Sequence, residues 1–498
     1  MIRSFCTLFN TVVSSFHIVI LFIVRAKKLR SSSLCHSLVP HTNVDLFLRY
    51  VKPVSLGIAR PGLAIVTILI LNSCGSTPAA KQANLADYPI KIVLPPTPIS
   101  KADSERIRLA CQAWYDSVLK LHGFNGGIVV AKNGNIIFEA YNGSGNPRGA
   151  DSMTDTTALH IASVSKTFTA MAVLKLWQDG KLTIDDEFSK YFPAFNYPGV
   201  TIRTLLNHRS GLPNYVHFME NMGWNKKVNI TNQDVLDFLI TRKQEIPNIG
   251  TPNRGFTYCN TNYALLALLI EKTSGINYGS YLKQTFFDPL QMKHTFVYSK
   301  TDSGKVTQSY DWKGGLIPFN FLDQVYGDKN IYSTPRDLQT WDRALTSNLF
   351  FTPKTLAEAY APYSNEKPGV RNYGLGWRMN NLPSGKKMIY HNGWWHGNNA
   401  AFIRLIADSA TIIVLGNKYN RGIYHAKDLA NIFGNYFGDG EEEEGEAAKT
   451  IAPVVKRSSK KMPPKKAAIT KKRFTKTPTR KPTPKQKLQP SAKKKRAK

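Results

Sequence analysis

With 498 residues, 42% of them apolar and 11% aromatic, the chain has ample material for a globular core, which excludes wholesale disorder. The net charge of +32 invites a nucleic-acid reading, but residues 451–498 carry 19 Lys or Arg and no acid, and residues 1–73 carry eight against Asp45 alone. The stretch between them is only mildly basic and shows no interleaved aromatic and basic motif, so no specific nucleic-acid partner is expected.

In chain order, the first signal is the short apolar run Gly62–Leu71, preceded by Lys52 and Arg60 and followed by Asn72-Ser73-Cys74-Gly75. A basic region, an apolar stretch too short to span a bilayer and small residues at a cut site form the layout of a signal peptide. Leu71-Asn72-Ser73-Cys74 resembles a bacterial lipobox. Cys74 would then carry the lipid that holds the protein on a membrane, in the cell envelope and facing the periplasm or exterior, with 74–104 as a small, polar tether. The run lies deep for a leader, and no Met occurs between Met1 and Met153. A start near residue 51 at a non-Met codon would account for the long front of the 1–73 leader.

Residues 105–121 read as a helix with Ile107, Leu109, Ala110, Trp114, Val118 and Leu121 on its apolar side. Gly127–Lys132 and Ile136–Tyr141 are β-rich runs around Asn133-Gly134, a strong hairpin signal. Helices and loops dominate about 160–345. Lys387–His391, Ala400–Ala407 and Thr411–Asn417 then read as strands, and Ile423–Phe437 as a closing helix. Strands at both ends with helices between predict an α+β fold over 105–438: one antiparallel sheet built from both termini of the domain, flanked by helices, with a mainly helical inserted subdomain. From 439 the chain turns acidic at Glu441–Glu444 and then Lys/Pro-rich. Such a tail cannot bury enough apolar surface to offset its ordering entropy, and its charge suits an anionic lipid or envelope polymer.

The five cysteines make no metal-ligand spacing, and Cys111 and Cys259 are expected as buried thiols. His391 and His396, five apart, suit no common helical zinc pair. Neither a GxSxG elbow, HExxH, a P-loop nor GxGxxG is present. What stands out is Ser163-Val164-Ser165-Lys166 at the head of Thr167–Gln178, a run apolar almost all round and stopped by Asp179-Gly180. Residues three apart on a helix are neighbours, so the Lys166 amine can reach the Ser163 hydroxyl. Burial disfavours the charged form of an amine, which is what a general base near neutral pH needs. The Ser163 amide, at a helix N-terminus, can help hold an oxyanion.

Two further segments bear on the same chemistry. Tyr258-Cys259-Asn260 precedes a second buried helix, about Asn262–Thr273, closed by Gly275. A Tyr beside a Lys can relay a proton, and an Asn can hold a substrate amide. His391-Asn392-Gly393 ends an apolar strand, where Gly allows close approach by a ligand.

These three segments, in this order, resemble the SxxK, YxN and (K/H)xG motifs of the serine β-lactamase and penicillin-binding superfamily, in its class C β-lactamase-like branch with D-alanyl-D-alanine carboxypeptidases and esterases. Leu205–Pro213, Gly180–Asp186 and Tyr332–Leu338 are similar as well. The last has a helix start of its own, with Thr334 as cap, Pro335 first and Asp337 in the first turn. The resemblance implies a β-lactamase/transpeptidase-like fold and two-step acyl transfer without metal or cofactor. Ser163 would carry the acyl group and Lys166 accept its proton. Tyr258 would share that network, and Asn260 would bind the substrate amide. His391, Asn392 and Gly393 would line the strand edge, with the Trp394 and Ser163 amides as oxyanion hole. His208 lies in a segment that the resemblance makes structural.

His391 and Asn392 replace the usual Lys and Thr, removing a permanent cation and a hydroxyl, and Cys259 replaces the common Ser. The cation and hydroxyl would hold a β-lactam or peptide carboxylate, and the expected substrate is an ester or a D-amino-acid peptide, with a β-lactam less favoured. The alternative is a penicillin-binding-like envelope binding protein with weak or no turnover. The intact Ser, Lys, Tyr and Asn favour the enzyme.

Overall fold

The computed structural model describes residues 94–437, apart from 147–150, 247 and 349. Cys74, the signal-like segment, most of the tether and the basic tail lie outside the described residues. Among those described, no helix is long and apolar enough to cross a membrane.

Helix α1 spans Lys101–Trp114 and is capped by Ser100, whose side chain accepts from the Asp103 amide. It continues through a wider turn at Tyr115–Leu119 and a tight one at Lys120–His122. Its inward face corrects the expectation from sequence. Ile107, Cys111, Tyr115 and Leu119, spaced by four, are buried, whereas Leu109 is 53% and Leu121 80% exposed. Leu109 lies two residues from Ile107, which on a helix is nearly the opposite face.

The hairpin forms as expected, with β1 at Gly126–Lys132 and β2 at Asn135–Asn142. Asn133 (φ 55°) and Gly134 (φ 79°) both take the left-handed conformation that a tight two-residue turn demands. Helix α2 is Ser165–Gln178 and α3 is Asn260–Ser274. Both bury side chains around nearly their whole circumference, and they pack on each other. Helix α4, Pro335–Thr346, starts as its sequence predicts, with Thr334 accepting from the Asp337 amide. Its Trp341 stacks on Phe168 of α2 at 4.7 Å, fixing the two helices together.

Strands β3 (Arg371–Tyr373), β4 (Arg378–Asn381), β5 (Lys387–Trp395), β6 (Asn398–Leu405) and β7 (Ala410–Gly416) complete a seven-stranded sheet of order β2-β1-β7-β6-β5-β4-β3. Every neighbouring pair is antiparallel, so the two ends of the domain do build one sheet. The inserted region is not purely helical: Leu159–His160, Ile331–Ser333 and Phe296–Val297 form a small sheet of their own.

Period-2 alternation divides the core. Ile128, Val130, Ala401, Ile403, Ile412 and Val414 face α1 and the C-terminal segment. Ile389, Ala400, Phe402, Ile413 and Leu415 face α2, α3 and the rest of the insertion. That segment, expected as a helix over Ile423–Phe437, is a run of 3-10 turns at Arg421–Ile432. The sheet thus sits between two apolar layers, and its second face meets the helix that begins beside Ser163.

Candidate active site

Ser163 lies in the tight turn Ala162–Val164 immediately before α2. Ala162 is held at φ 47°, a left-handed conformation costly for a residue with a Cβ. Its amide donates to His160 Nδ1 at 3.1 Å, and His160 Nε2 meets Asn330 Oδ1 at 3.1 Å. On the other side, a Cβ on Gly393 would stand 2.4 Å from the Ile161 carbonyl oxygen. The turn that carries Ser163 is wedged against the strand that carries the third motif, and only Gly permits that approach.

Lys166 is fully buried one turn further on. Its Nζ donates to Ser163 Oγ at 3.1 Å, Asn260 Oδ1 at 2.8 Å and the Asp328 carbonyl at 2.8 Å. With Lys166 Nζ donating, the Asn260 atom facing it is the oxygen, which leaves the Asn260 NH2 to donate elsewhere. Tyr258 meets Lys166 through its ring, 5.0 Å from Nζ to the centroid. All three Lys166 protons go to the other acceptors, so the expected Lys166–Tyr258 link is a face contact in this structure.

The segment around His208 braces the start of α3. Thr261 Oγ1 donates to the Pro213 carbonyl and accepts from the Tyr215 amide, each at 2.7 Å. Ser210 Oγ donates to Asn262 Oδ1 at 2.7 Å. His208 Nδ1 accepts from the Cys259 amide at 3.2 Å, so its proton sits on Nε2, buried without a hydrogen-bond partner among Tyr258, Tyr263 and Tyr373. Cys259 is buried, as is Cys111, whose thiol burial pushes up to about 12.

Strand β5 pairs with β4 only from Lys387 to Tyr390. Beyond that point His391–Trp395 leaves β4 and faces the Ser163 turn. Gly393 lies in this stretch, as does Asn392, whose side-chain oxygen is buried without a partner. Trp394 Nε1 donates to the His396 carbonyl at 2.9 Å.

The His391 imidazole, expected to line the edge, is instead 1% exposed. Its Nδ1 donates to the Asn392 carbonyl at 2.7 Å and its Nε2 accepts from the Tyr373 hydroxyl at 3.2 Å. Burial, with Arg378 and Lys166 nearby, holds it well below the usual histidine range, so it is neutral at pH 7. The cation on this side is Arg378, on β4 and half-buried, whose guanidinium lies 5.2 Å from the Tyr258 ring centroid. Neither Arg378 nor Asp328 carries a motif in the sequence. Only their position opposite Tyr258 and Lys166 singles them out.

Among the described residues, three buried histidines make acid sensitivity an expected property. Burial lowers His160 to about 4 and moves His208 and His391 in the same direction. Below about pH 6.5 the unfolded chain takes these protons and the native state does not, so stability present above that pH is lost as pH falls towards 4. For His160 alone the full loss is about 3 kcal/mol. Thermal melts from pH 7 to 5 should show a falling midpoint, with His160→Gln flattening part of the slope. A midpoint that held or rose on acidification would contradict the assignment.

Penicillin-binding protein 4* of Bacillus subtilis is 32% identical over 324 residues, covering 62% of this chain and 71% of that protein. Other curated relatives are matched over only 60% of their length. Among solved structures, a penicillin binding protein from Bacillus halodurans shares the fold with a TM-score of 0.56 at 22% identity, over 64% of this chain and 98% of that one. The D-amino acid amidase from Ochrobactrum anthropi SV3 does so at 0.53 and 22%, over 67% and 97%. The Beta-lactamase family model matches residues 115–433, a stretch that is most of the chain and holds every side chain of this site, and the chain belongs to that family.

Proposed function

We propose that the protein is a serine hydrolase that works by two-step acyl transfer through an acyl-Ser163 intermediate. One observation carries the reading: Lys166 Nζ is aimed at Ser163 Oγ by two other acceptors. Asn260 Oδ1 and the Asp328 carbonyl have no proton to give. In the neutral amine they take both N–H groups, and the lone pair is left facing the Ser163 hydroxyl. Ser163 Oγ attacks the substrate carbonyl as its proton passes to Lys166. The oxyanion is held by the Ser163 and Trp394 amides, and Tyr258 helps return a proton to the leaving group. The Asn260 NH2 donates to the substrate amide. Water then takes the leaving group's place: it attacks the acyl carbonyl as its proton passes to the base, and the C–Oγ bond breaks as Ser163 Oγ regains a proton from Lys166, releasing the acid.

Neutral His391 supplies no charge for a substrate carboxylate, and Arg378 takes that place. An acyl donor ending in a D-amino-acid carboxylate, or a simple ester, fits this arrangement. A lipid on Cys74 would set the enzyme in the envelope, with the basic tail on an anionic polymer or lipid.

Labelling tests the reading. A fluorophosphonate or a fluorescent penicillin should modify the wild type at Ser163, located by peptide mass spectrometry, and leave Ser163→Ala unlabelled. If neither probe reacts and short p-nitrophenyl esters survive, the enzyme reading fails and the binding-protein reading replaces it. Arg378→Gln should raise KM for a D-Ala-D-Ala peptide about tenfold, the cost of one charge-assisted hydrogen bond, and leave a neutral ester unaffected. Equal effects on both substrates would remove Arg378 from carboxylate recognition.

A further inference from the structure

Lys329 follows Asp328 on the approach to Ile331–Ser333, and the two side chains are 3% and 1% exposed. A buried ammonium persists only where its protons are taken. Those of Lys329 go to the Tyr215 hydroxyl, the Val325 carbonyl at 3.3 Å and Asp328 Oδ2 at 3.5 Å. Tyr215 donates in turn to Asp328 Oδ2 at 3.0 Å, so its hydroxyl ties the pair together. The Lys329 ammonium also lies 4.6 Å from the Trp395 ring centroid, and Trp395 Nε1 donates to Asp323.

Neither charge of this pair is given a part in the acyl-transfer step, and its place in the fold suggests what it does. The main chain of Asp328 supplies the carbonyl that accepts from Lys166. Trp395 ends β5, two residues beyond the Gly393 that abuts the Ser163 turn. The clamp therefore joins the seat of the general base to the strand edge of the site.

We infer that Lys329 is a positioning residue for acyl transfer, which through Tyr215 and Asp328 sets the Asp328 carbonyl against Lys166 Nζ and through Trp395 steadies the end of β5. Gly327, whose carbonyl accepts from Thr169 Oγ1, and Asn330, which donates to the Asp323 and Val325 carbonyls, hold the chain on either side, so loss of the clamp leaves the Asp328–Lys329 peptide between them able to tilt. Lys166 then loses one of the two acceptors that keep its lone pair on Ser163, while the substrate-binding edge of β5 is still held by its pairing with β6 through Trp395. The deficit belongs to the rate of acylation and not to binding. The inference rests on the reading of Ser163 as acyl carrier.

The test uses the full chain and a fluorophosphonate, separating the maximal rate of inactivation (kinact) from the half-saturating concentration (KI). Lys329→Met keeps the stem and removes the ammonium. Tyr215→Phe keeps both charges and removes the hydroxyl between them, so it carries the test if the first variant fails to fold. Each folded variant should lose about tenfold or more in kinact with KI within about twofold of wild type. A purely structural clamp would lower the melting temperature and leave kinact unchanged in the folded protein, and that result overturns the inference. A wild type that no acyl probe modifies overturns the acyl-transfer reading and this inference with it. A reactive wild type with unaltered variants overturns the inference alone.

Discussion

Lys166→Ala is expected to lower the acylation rate by about 10^2- to 10^4-fold, the usual contribution of a positioned general base, with KM little changed. The loss should be large because the site offers no substitute. His391 is the nearest alternative by motif, but its Nδ1 proton is given to the Asn392 carbonyl and its Nε2 is engaged by Tyr373. His208 is turned away, its basic nitrogen accepting from the Cys259 amide. Neither can take a proton from Ser163 without breaking a buried contact. Lys166 is also packed on all sides, so alanine leaves a cavity, and part of any deficit would come from relaxation around it. Lys166→Met, which keeps most of the stem, separates the two causes. If the Met variant is as inactive as the Ala variant, the amine is responsible. Near-normal acylation in either variant would mean that another group takes the Ser163 proton.

Gly393→Ala is expected to have the second-largest effect, on stability and on rate together. A Cβ there would meet the Ile161 carbonyl oxygen at 2.4 Å and the Ala162 Cβ at 3.1 Å. Both obstacles belong to the residues immediately before Ser163, and Ala162 is already in a strained conformation. They cannot give way without moving the nucleophile. Overpacking of this kind costs about 1–3 kcal/mol. A displacement of Ser163 by about 1 Å would cost about 10^2 in acylation rate. A thermal melt combined with the rate of fluorophosphonate labelling reads both. A folded Gly393→Ala protein that labelled at the wild-type rate would show that the turn and β5 are not mechanically joined.

Much of this architecture is legible in the amino-acid sequence. Helices α2 and α3 announce themselves by apolar runs with polar caps, the hairpin by Asn133-Gly134, and α4 by Thr334, Pro335 and Asp337. These are local signals, decided by residues a few positions apart. The buried face of α1 is not legible in the same way, because a helix with large apolar residues on several sides does not say which of them meets the sheet. Leu109 yields to Cys111 and Tyr115, and Tyr115 packs against Phe124 and, on β2, Phe138.

The chemistry divides in the same way. Sequence by itself determined that Ser163 and Lys166 share one helix end, that a Tyr-Cys-Asn segment begins a second buried helix and that a His-Asn-Gly segment belongs to a strand, although the strand runs on to Trp395 and does not end at that segment. Spacing along one element suffices for each of those statements. Only the tertiary structure decided that the His391 side chain is buried and neutral, that Arg378 is the cation beside Tyr258 and that Lys166 is oriented by the Asp328 carbonyl. Asp328 lies 162 positions from Lys166 in the chain, and its contact is made by a main-chain oxygen that every residue possesses. No residue type marks such a contact in advance, because it depends on which way a peptide plane faces once the insertion has folded onto the sheet.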